Sequence, residues 1–343
     1  MDLLRVGQGA RADLELSNAA VPGRETVSAM AARASALAAV NGGFFGSSGL
    51  FDGDPIGVLA IDGQLVSEPV GPRAALVLPG PDGGRARIAG LRFAGAVRAG
   101  GEKRLLDGVN RARGLIPSCG GRGGDLPAQR PGAAVVCTDA SELVQLTPAF
   151  GSRTRTDGRG VEATVNAGVV TRLREGGNSR IPADGYVLSG SGDAASFLRR
   201  VAEPGAVPAL DFGLRTGSKR LREGSWDAIV GGGPRLVERG RMSVRAVAEG
   251  FSAGFAARNP RTLAGVNRRG EMLIVTVDGR RPRRSVGVTL IEAARVMRAL
   301  GARDALNLDG GGSTTMIVGD RLVNRPSDGV ERSVGDAIVL VPE

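Results

Sequence analysis

Apolar residues recur along this chain at two spacings. In "ETVSAMAARASALAA" (25–39), Val27, Met30, Ala31, Ala34 and Leu37 fall on one helical face. The same period returns in "TLIEAARVMRAL" (289–300), which Gly301 stops. Elsewhere the apolar runs are short and read as strands: "EMLIVTV" (271–277), "DALNL" (304–308) and "DAIVLVP" (336–342). Two hairpins stand out, "IGVLAIDGQLVSEP" closed by Asp62-Gly63, and "MIVGDRLVN" (316–324). The middle, about 80–225, is richer in Gly, Arg and Pro. It offers a strand near "GVEATVNAGVV" and a strand-turn-helix in "GYVLSGSGDAASFLRRV". Strands and helices mix without regular alternation, which predicts an α+β fold. The expected form is a mixed, mostly antiparallel sheet with flanking helices and glycine-rich loops at strand ends. A single domain over 1–343 is expected, with a divergent middle.

One turn is richer than chain reversal needs. A hairpin closes with two residues, yet "NLDGGGSTTM" (307–316) sets one carboxylate, three glycines and several hydroxyls between two apolar runs. Similar clusters border strands in "VNGGFFG" (40–46), "RNPRTLAGV" (258–266), "VDGRRP" (277–282) and "VNRPSDGVERS" (323–333). Loops at strand ends are where sites are built. Successive glycine amides can cradle an anion, and Arg offers a fork for phosphate or carboxylate oxygens.

Composition narrows the chemistry. The 343 residues include no histidine, which removes Ser-His-Asp and Cys-His machinery, His-ligated zinc and His bases. Catalysis must then use Asp, Glu, Arg, Ser, Thr, Asn or backbone amides. A net charge of +10 invites nucleic acid, but the arginines are dispersed and only 3% of residues are aromatic, so little could stack on bases. Nucleic-acid binding is not expected. No apolar run is long enough to span a membrane. The N-terminus lacks the basic start and long apolar middle of a signal peptide, so an exported form would carry its signal outside this chain. Cys119 and Cys137, in a polar, glycine-rich stretch, are expected to form a disulfide in an oxidising compartment.

Two weaker motifs need weighing. Gly190, Gly192 and Ala195, with Asp211 downstream, fit a loose dinucleotide fingerprint; a strand-turn-helix that needs small residues explains them equally well. Asp52 and Asp54 in "FDGDP" could hold a divalent cation with help from nearby carbonyls. No cofactor is required by the rest of the sequence.

The set "NGGFF", "NPRT-L-G", "VDGR", "LGARDALNLDGGGSTTM" and "VNRPSDG-ERSV-DA" resembles the phosphodiester glycosidase family, from about residue 20 to the C-terminus and thinly between 80 and 225. The resemblance implies hydrolysis of a sugar-1-phosphodiester, cleaved on the sugar side, by an exported or lumenal enzyme. The substrate would be a glycan or sugar phosphate of the cell envelope or outside it. By the same resemblance the site would include Asn41, Gly42, Arg261, Asp278, Arg280, Asp309, Gly310, Gly311, Gly312, Ser313, Asn324 and Arg332.

The residues themselves agree with such chemistry. Glycosyl transfer from phosphate needs a carboxylate at an oxocarbenium-like centre and donors for the departing charge. The carboxylate candidates are Asp309, Asp278 and Glu292, with Ser313 and Thr314 as donors. Each has a structural alternative. Glu292 follows Thr289 by three residues, which is also a capping box. For Asp278 the alternative is a turn residue, for Arg261 and Arg280 surface charges, and for the Asp309 turn a self-bonded β-bulge corner. A rival function is a non-catalytic module that binds anionic cell-wall glycans through the same loops.

Overall fold

The computed structural model describes residues 1–343 except 8, 48, 50, 51, 72, 115, 119–125, 130–135 and 223. It corrects the α+β expectation: 42% of the chain is strand and 14% helix. Among the described residues there are three α-helices, Val27–Arg33, Gly192–Val201 and Leu290–Ala299. Each packs on its own sheet, so they form no shared layer. The helix expected over 25–39 stops early because Ser35 takes a left-handed φ of 50° and Ala38–Asn41 joins a sheet. The middle region, where apolar signals are interrupted by Gly and Arg, folds largely into strands such as Arg92–Ala99 and Ala209–Thr216.

Two antiparallel sheets position the site. The first runs Asp2–Val6, Met272–Val277, Arg261–Asn267, Ala302–Asn307, Arg235–Glu238, Arg241–Met242. The second runs Ala10–Leu16, Asp336–Pro342, Ala38–Asn41, Met316–Val318, Arg321–Leu322. Their facing sides share one core. Ala264, Val266, Met272 and Ile274 enter it from the first sheet, and Ala38, Val40, Ile338 and Leu340 from the second.

The alternate residues point the other way, as the two-residue strand period requires. Leu263, Leu273 and Val275 pack under the Leu290–Ala299 helix, with Leu290, Ala293, Ala294 and Met297. Ala39, Ala337 and Val339 pack under Val27, Met30 and Ala31. This is why "MLIVTV" is apolar at every position but Thr276: it is buried on both faces.

The two sheets end together. Asn41 closes one strand, Asp336 opens another, Arg261 opens a third, and Asp278 follows a fourth. Residues 308–315 carry the chain from the first sheet to the second across this shared end. Leu308 N–H bonds to Thr262 O (2.8 Å), Asp309 N–H to Gly42 O (3.2 Å) and Gly311 N–H to Pro260 O (2.9 Å). The glycine-rich turn is therefore a seam between sheets, with both flanking runs buried.

Candidate active site

Asn41 is the clasp of the seam. Fully buried, it donates from Nδ2 to Asp309 O (2.9 Å), while its Oδ1 accepts from Thr262 Oγ1 (2.6 Å) and Thr315 N–H (3.2 Å). Gly42 N–H bonds to Asp336 O (3.0 Å), and Gly43 N–H to Asp336 Oδ1 (2.8 Å). A side chain at Gly42 would run into the Asp336 carboxylate. "NGG" thus pins the turn on one side and holds a second acid on the other.

That second acid was not among the expected site residues. Asp336 is 1% exposed, and its Oδ2 has no hydrogen-bond partner within the protein. Burial, reinforced by the negative charge of Asp309, pushes its carboxyl up to about 6, against the pull of the Gly43 amide. The sequence did carry a signal: an acid heading an otherwise apolar strand, inside the family-like "ERSV-DA" segment.

Asp309 is half-buried, and desolvation pushes its carboxyl above the ordinary range. The Ser313 hydroxyl, the Gly310 N–H (2.8 Å to Oδ1) and the charge of Arg332 oppose that rise by favouring the ionised form. The three glycines after it lie close against their neighbours. A Cβ at Gly310 would lie 2.7 Å from Pro260 O, and one at Gly311 3.0 Å from Arg280 Nη2. At Gly312 it would collide with the Arg332 guanidinium and the Asp328 carboxylate. Two guanidinium groups therefore press directly on the turn. Arg332 is fixed by Asp328 (Nε to Oδ2 2.9 Å), and Arg280 by Asn259 Oδ1 (3.0 Å). The Thr314 and Thr315 hydroxyls are buried without protein partners, so unused hydrogen-bonding capacity gathers along this turn.

Other expected residues serve the frame. Arg261 is 1% exposed and donates to Phe255 O and Ala257 O (2.7 Å each), with longer contacts to Val288 O and Asn307 Oδ1. Burial pulls its guanidinium down to about 10. It knits loop 255–261 to the first sheet. Asp278 Oδ1 accepts from Arg325 N–H (2.9 Å) and Asn324 Nδ2 (3.4 Å). Asn324 in turn accepts from Met316 N–H (2.7 Å) and donates to Thr314 O (2.9 Å). Together they tie the closing segment to the turn.

Glu292 completes the capping box with Thr289 and pairs with Arg258 at 2.6 Å. The Thr289 amide and Arg258 hold its carboxyl below the usual range. All its bonds are to that helix start and to Arg258, and none joins it to the turn.

The weaker motifs resolve by topology. The Gly185–Gly190 strand is antiparallel to both its neighbours, so it heads no βαβ unit, and Gly190 and Gly192 give way to Ala194 and to the Ala140 carbonyl. Asp52 pairs with Arg24 at 2.9 Å, while Asp54 is buried beside Glu68 and Arg111, its carboxyl raised by desolvation. Among the described residues the one group of three acids at ligand spacing is Asp13, Asp62 and Asp227, where Arg11 already pairs with two of them. Cys137 is buried, but Cys119 lies outside the described residues, and with it the expected bridge.

The family model of the phosphodiester glycosidases matches residues 159–341, more than half of the chain; the match includes the Asp309 turn, Arg261, Asp278, Arg280, Asn324, Arg332 and Asp336 but not the "NGG" loop. The chain belongs to this family. Bovine N-acetylglucosamine-1-phosphodiester alpha-N-acetylglucosaminidase is 27% identical over 189 residues, covering 49% of this chain and 35% of the bovine one. A prophage-derived protein of Bacillus subtilis, YomE, is 36% identical over 88 residues, 26% of this chain and 14% of its own. The chain thus matches about a third or less of these relatives' lengths. Among solved structures, a Burkholderia pseudomallei protein described as exported superposes with a TM-score of 0.85 at 34% identity, covering 97% of this chain and 71% of that one. A Synechocystis protein shares the fold, with a TM-score of 0.79 at 23% identity, covering 99% and 59%. Among the described residues, no helix is long and apolar enough to cross a membrane.

Proposed function

We propose that this phosphodiester glycosidase hydrolyses the sugar–oxygen bond of a sugar-1-phosphodiester in a cell-envelope or extracellular glycan. The reading rests on family membership and on one observation above all. Two carboxylates raised by desolvation, the half-buried Asp309 and the fully buried Asp336, meet at a glycine turn against which two arginines are packed.

The environments divide the work. Asp309 receives the Gly310 amide, the Ser313 hydroxyl and the nearby charge of Arg332, all of which favour its anion. It suits the carboxylate that meets a developing oxocarbenium centre. Asp336 has one amide and an unpartnered oxygen, so it holds the proton of the pair. With 1% exposure it sits behind the turn, raised in part by the charge of Asp309, and does not touch the sugar.

Arg280 and Arg332, whose guanidinium groups lie against Gly311 and Gly312, would take the charge of the departing phosphate. A phosphate monoester leaves readily as an anion, so a chain without histidine can still run this chemistry. Exported function is part of the proposal, supported by the description of the Burkholderia relative.

The test is release of free sugar from a panel of sugar-1-phosphodiesters by the wild type and by Asp309→Asn. Turnover in the wild type that falls by about a thousandfold or more in the variant, with substrate still bound, supports the assignment. Full activity in the variant removes Asp309 from the chemistry. No release from any member of the panel rejects the reading for those substrates and favours a binding module.

A further inference from the structure

A second charged feature lies in the middle region. The hairpin Val161–Asn166 and Val169–Glu175 ends its sheet, with Val169–Glu175 as the edge strand. A bulge shifts the register between Thr164 and Val165, so that Val165 faces Val170 while Thr164 faces Arg172. That shift lets Val170 and Leu173, three residues apart, both pack into the core. It leaves Arg172 and Arg174 together on the opposite face, across from Thr164 and Glu162. The chain brings two more arginines to the same place, because Arg153 and Arg180 pair in an antiparallel bridge. All four line one groove of about 920 Å³.

The groove's charge is largely unspent. Arg172 and Arg180 are exposed, and their side chains make neither a hydrogen bond nor an ion pair among the described residues. Arg153 and Arg174 reach only the backbone carbonyls of Asn178 and Glu175. The acids nearby are committed elsewhere: Glu175 forks onto Arg199, and Glu162 accepts from Thr156, Ser179 N–H and Ser189. Ser179, 4% exposed and lining the groove, keeps its hydroxyl without a partner.

Charges on an edge strand protect it from pairing with another chain. That purpose explains Arg172 and Arg174. It does not call for Arg153 and Arg180 on the facing segment.

A backbone hydrogen bond links the groove wall to the segment that carries Asp336. Ala19 and Ala20 form part of its wall, and Ser17, just before them, donates its N–H to Gly335 O beside Asp336 (3.0 Å). We propose that this groove binds a run of phosphate groups in a phosphodiester-linked polymer, the continuation of the substrate beyond the bond cleaved at Asp309. The polymer's role as substrate rests on the function proposed above; its binding does not. Four arginines with free N–H groups, separated by a strand and a facing loop, suit several phosphates in series better than one.

The experiment measures binding of synthetic glycerol phosphate oligomers of increasing length, with inorganic phosphate and poly-glutamate as comparisons. The proteins are wild type, Arg172→Ala/Arg180→Ala, Asp309→Asn, and Arg295→Ala/Arg298→Ala, which removes the same charge from an exposed helix face. Neither groove arginine contributes a side-chain hydrogen bond to the fold, so the double variant keeps its structure. Affinity should rise with oligomer length, exceed that for poly-glutamate, and fall by about tenfold per groove arginine removed. It should hold in Asp309→Asn and in the helix-face variant.

An unchanged affinity in the groove variant overturns the proposal, as does an equal loss in the helix-face variant. Equal binding of poly-glutamate overturns the assignment to phosphate. Because binding is read without turnover, intact oligomer binding beside no sugar release from the panel of sugar-1-phosphodiesters would sink the glycosidase reading alone.

Discussion

Asn41 and Asp309 are 268 positions apart and joined directly, the Asn41 amide donating to the Asp309 carbonyl at 2.9 Å. The bond crosses from one sheet to the other, and Asn41 makes it while fully buried. Asn41→Ala should cost about 3 kcal/mol, since it strands the Asp309 carbonyl, the Thr262 hydroxyl and the Thr315 amide. Asn41→Asp keeps the acceptor but sets an oxygen against the Asp309 carbonyl, so it should be no better tolerated. Urea unfolding checks the stability, and sugar release should fall in both variants. A stable, active Asn41→Ala would show that the seam holds without its clasp.

The glycines of the turn should separate stability from activity. At Gly312 a methyl group meets the tips of Arg332 and Asp328, flexible ends that can swing aside. Gly312→Ala should therefore change stability by about 1 kcal/mol or less and still lower turnover by displacing Arg332. At Gly310 the methyl meets the Pro260 carbonyl, which is backbone and already accepts from Gly311 N–H. Gly310→Ala should cost about 1–3 kcal/mol as well as activity. Thermal melts of the two variants, beside their rates, test the contrast. Equal destabilisation would mean that Arg332 cannot yield.

Glu292 offers the converse test. Its carboxylate bonds to Thr289 and Arg258. Glu292→Gln can keep the capping-box acceptor, whereas Glu292→Ala loses it. The melting temperature should fall by only a few degrees in the alanine variant and less in the glutamine one, with turnover unchanged in both. A turnover loss far larger than the change in folding would return Glu292 to the chemistry.

What could be read from the sequence depended on how local the cause was. The Leu290–Ala299 helix, its Thr289 cap and the strand Met272–Val277 follow from short-range pattern, and the structure places them as expected. The clustering of Asp, Arg and Gly at strand ends was equally visible, and several of those ends do converge on one seam. Fold class was not, because strands such as Arg92–Ala99 (RFAGAVRA) alternate too irregularly to announce themselves, and because the register of Ala38–Asn41 truncates the helix before it. Arg261 shows a second limit. A motif marks a residue as constrained, but only the structure distinguishes a guanidinium facing a ligand from one buried among carbonyls. Asp336 was missed because an acid at the head of an apolar strand looks like a boundary, and its partner Asp309 comes from a different sheet.

Asp336 also predicts a pH dependence with a definite sign. Its carboxyl titrates near 6 in the fold and near 3.8 unfolded, so between those values the folded protein binds more protons than the unfolded chain. Stability should therefore fall as pH rises across that window and level off above it. A shift of this size corresponds to at most about 3 kcal/mol. Asp107, also raised to about 6, contributes in the same direction, and the acids held low by arginines oppose it. The contribution of Asp336 is read from the difference between wild type and Asp336→Asn. The variant's stability should vary less steeply between pH 4 and 6, and it should be the more stable protein at pH 7. The charge of Asp309 supplies the reading that burial alone would not give. With that charge gone in Asp309→Asn, Asp336 should titrate closer to the ordinary carboxylate range, and the pH window over which stability falls should narrow. An unchanged window would mean that burial alone raises Asp336 and would end the coupling of the two acids.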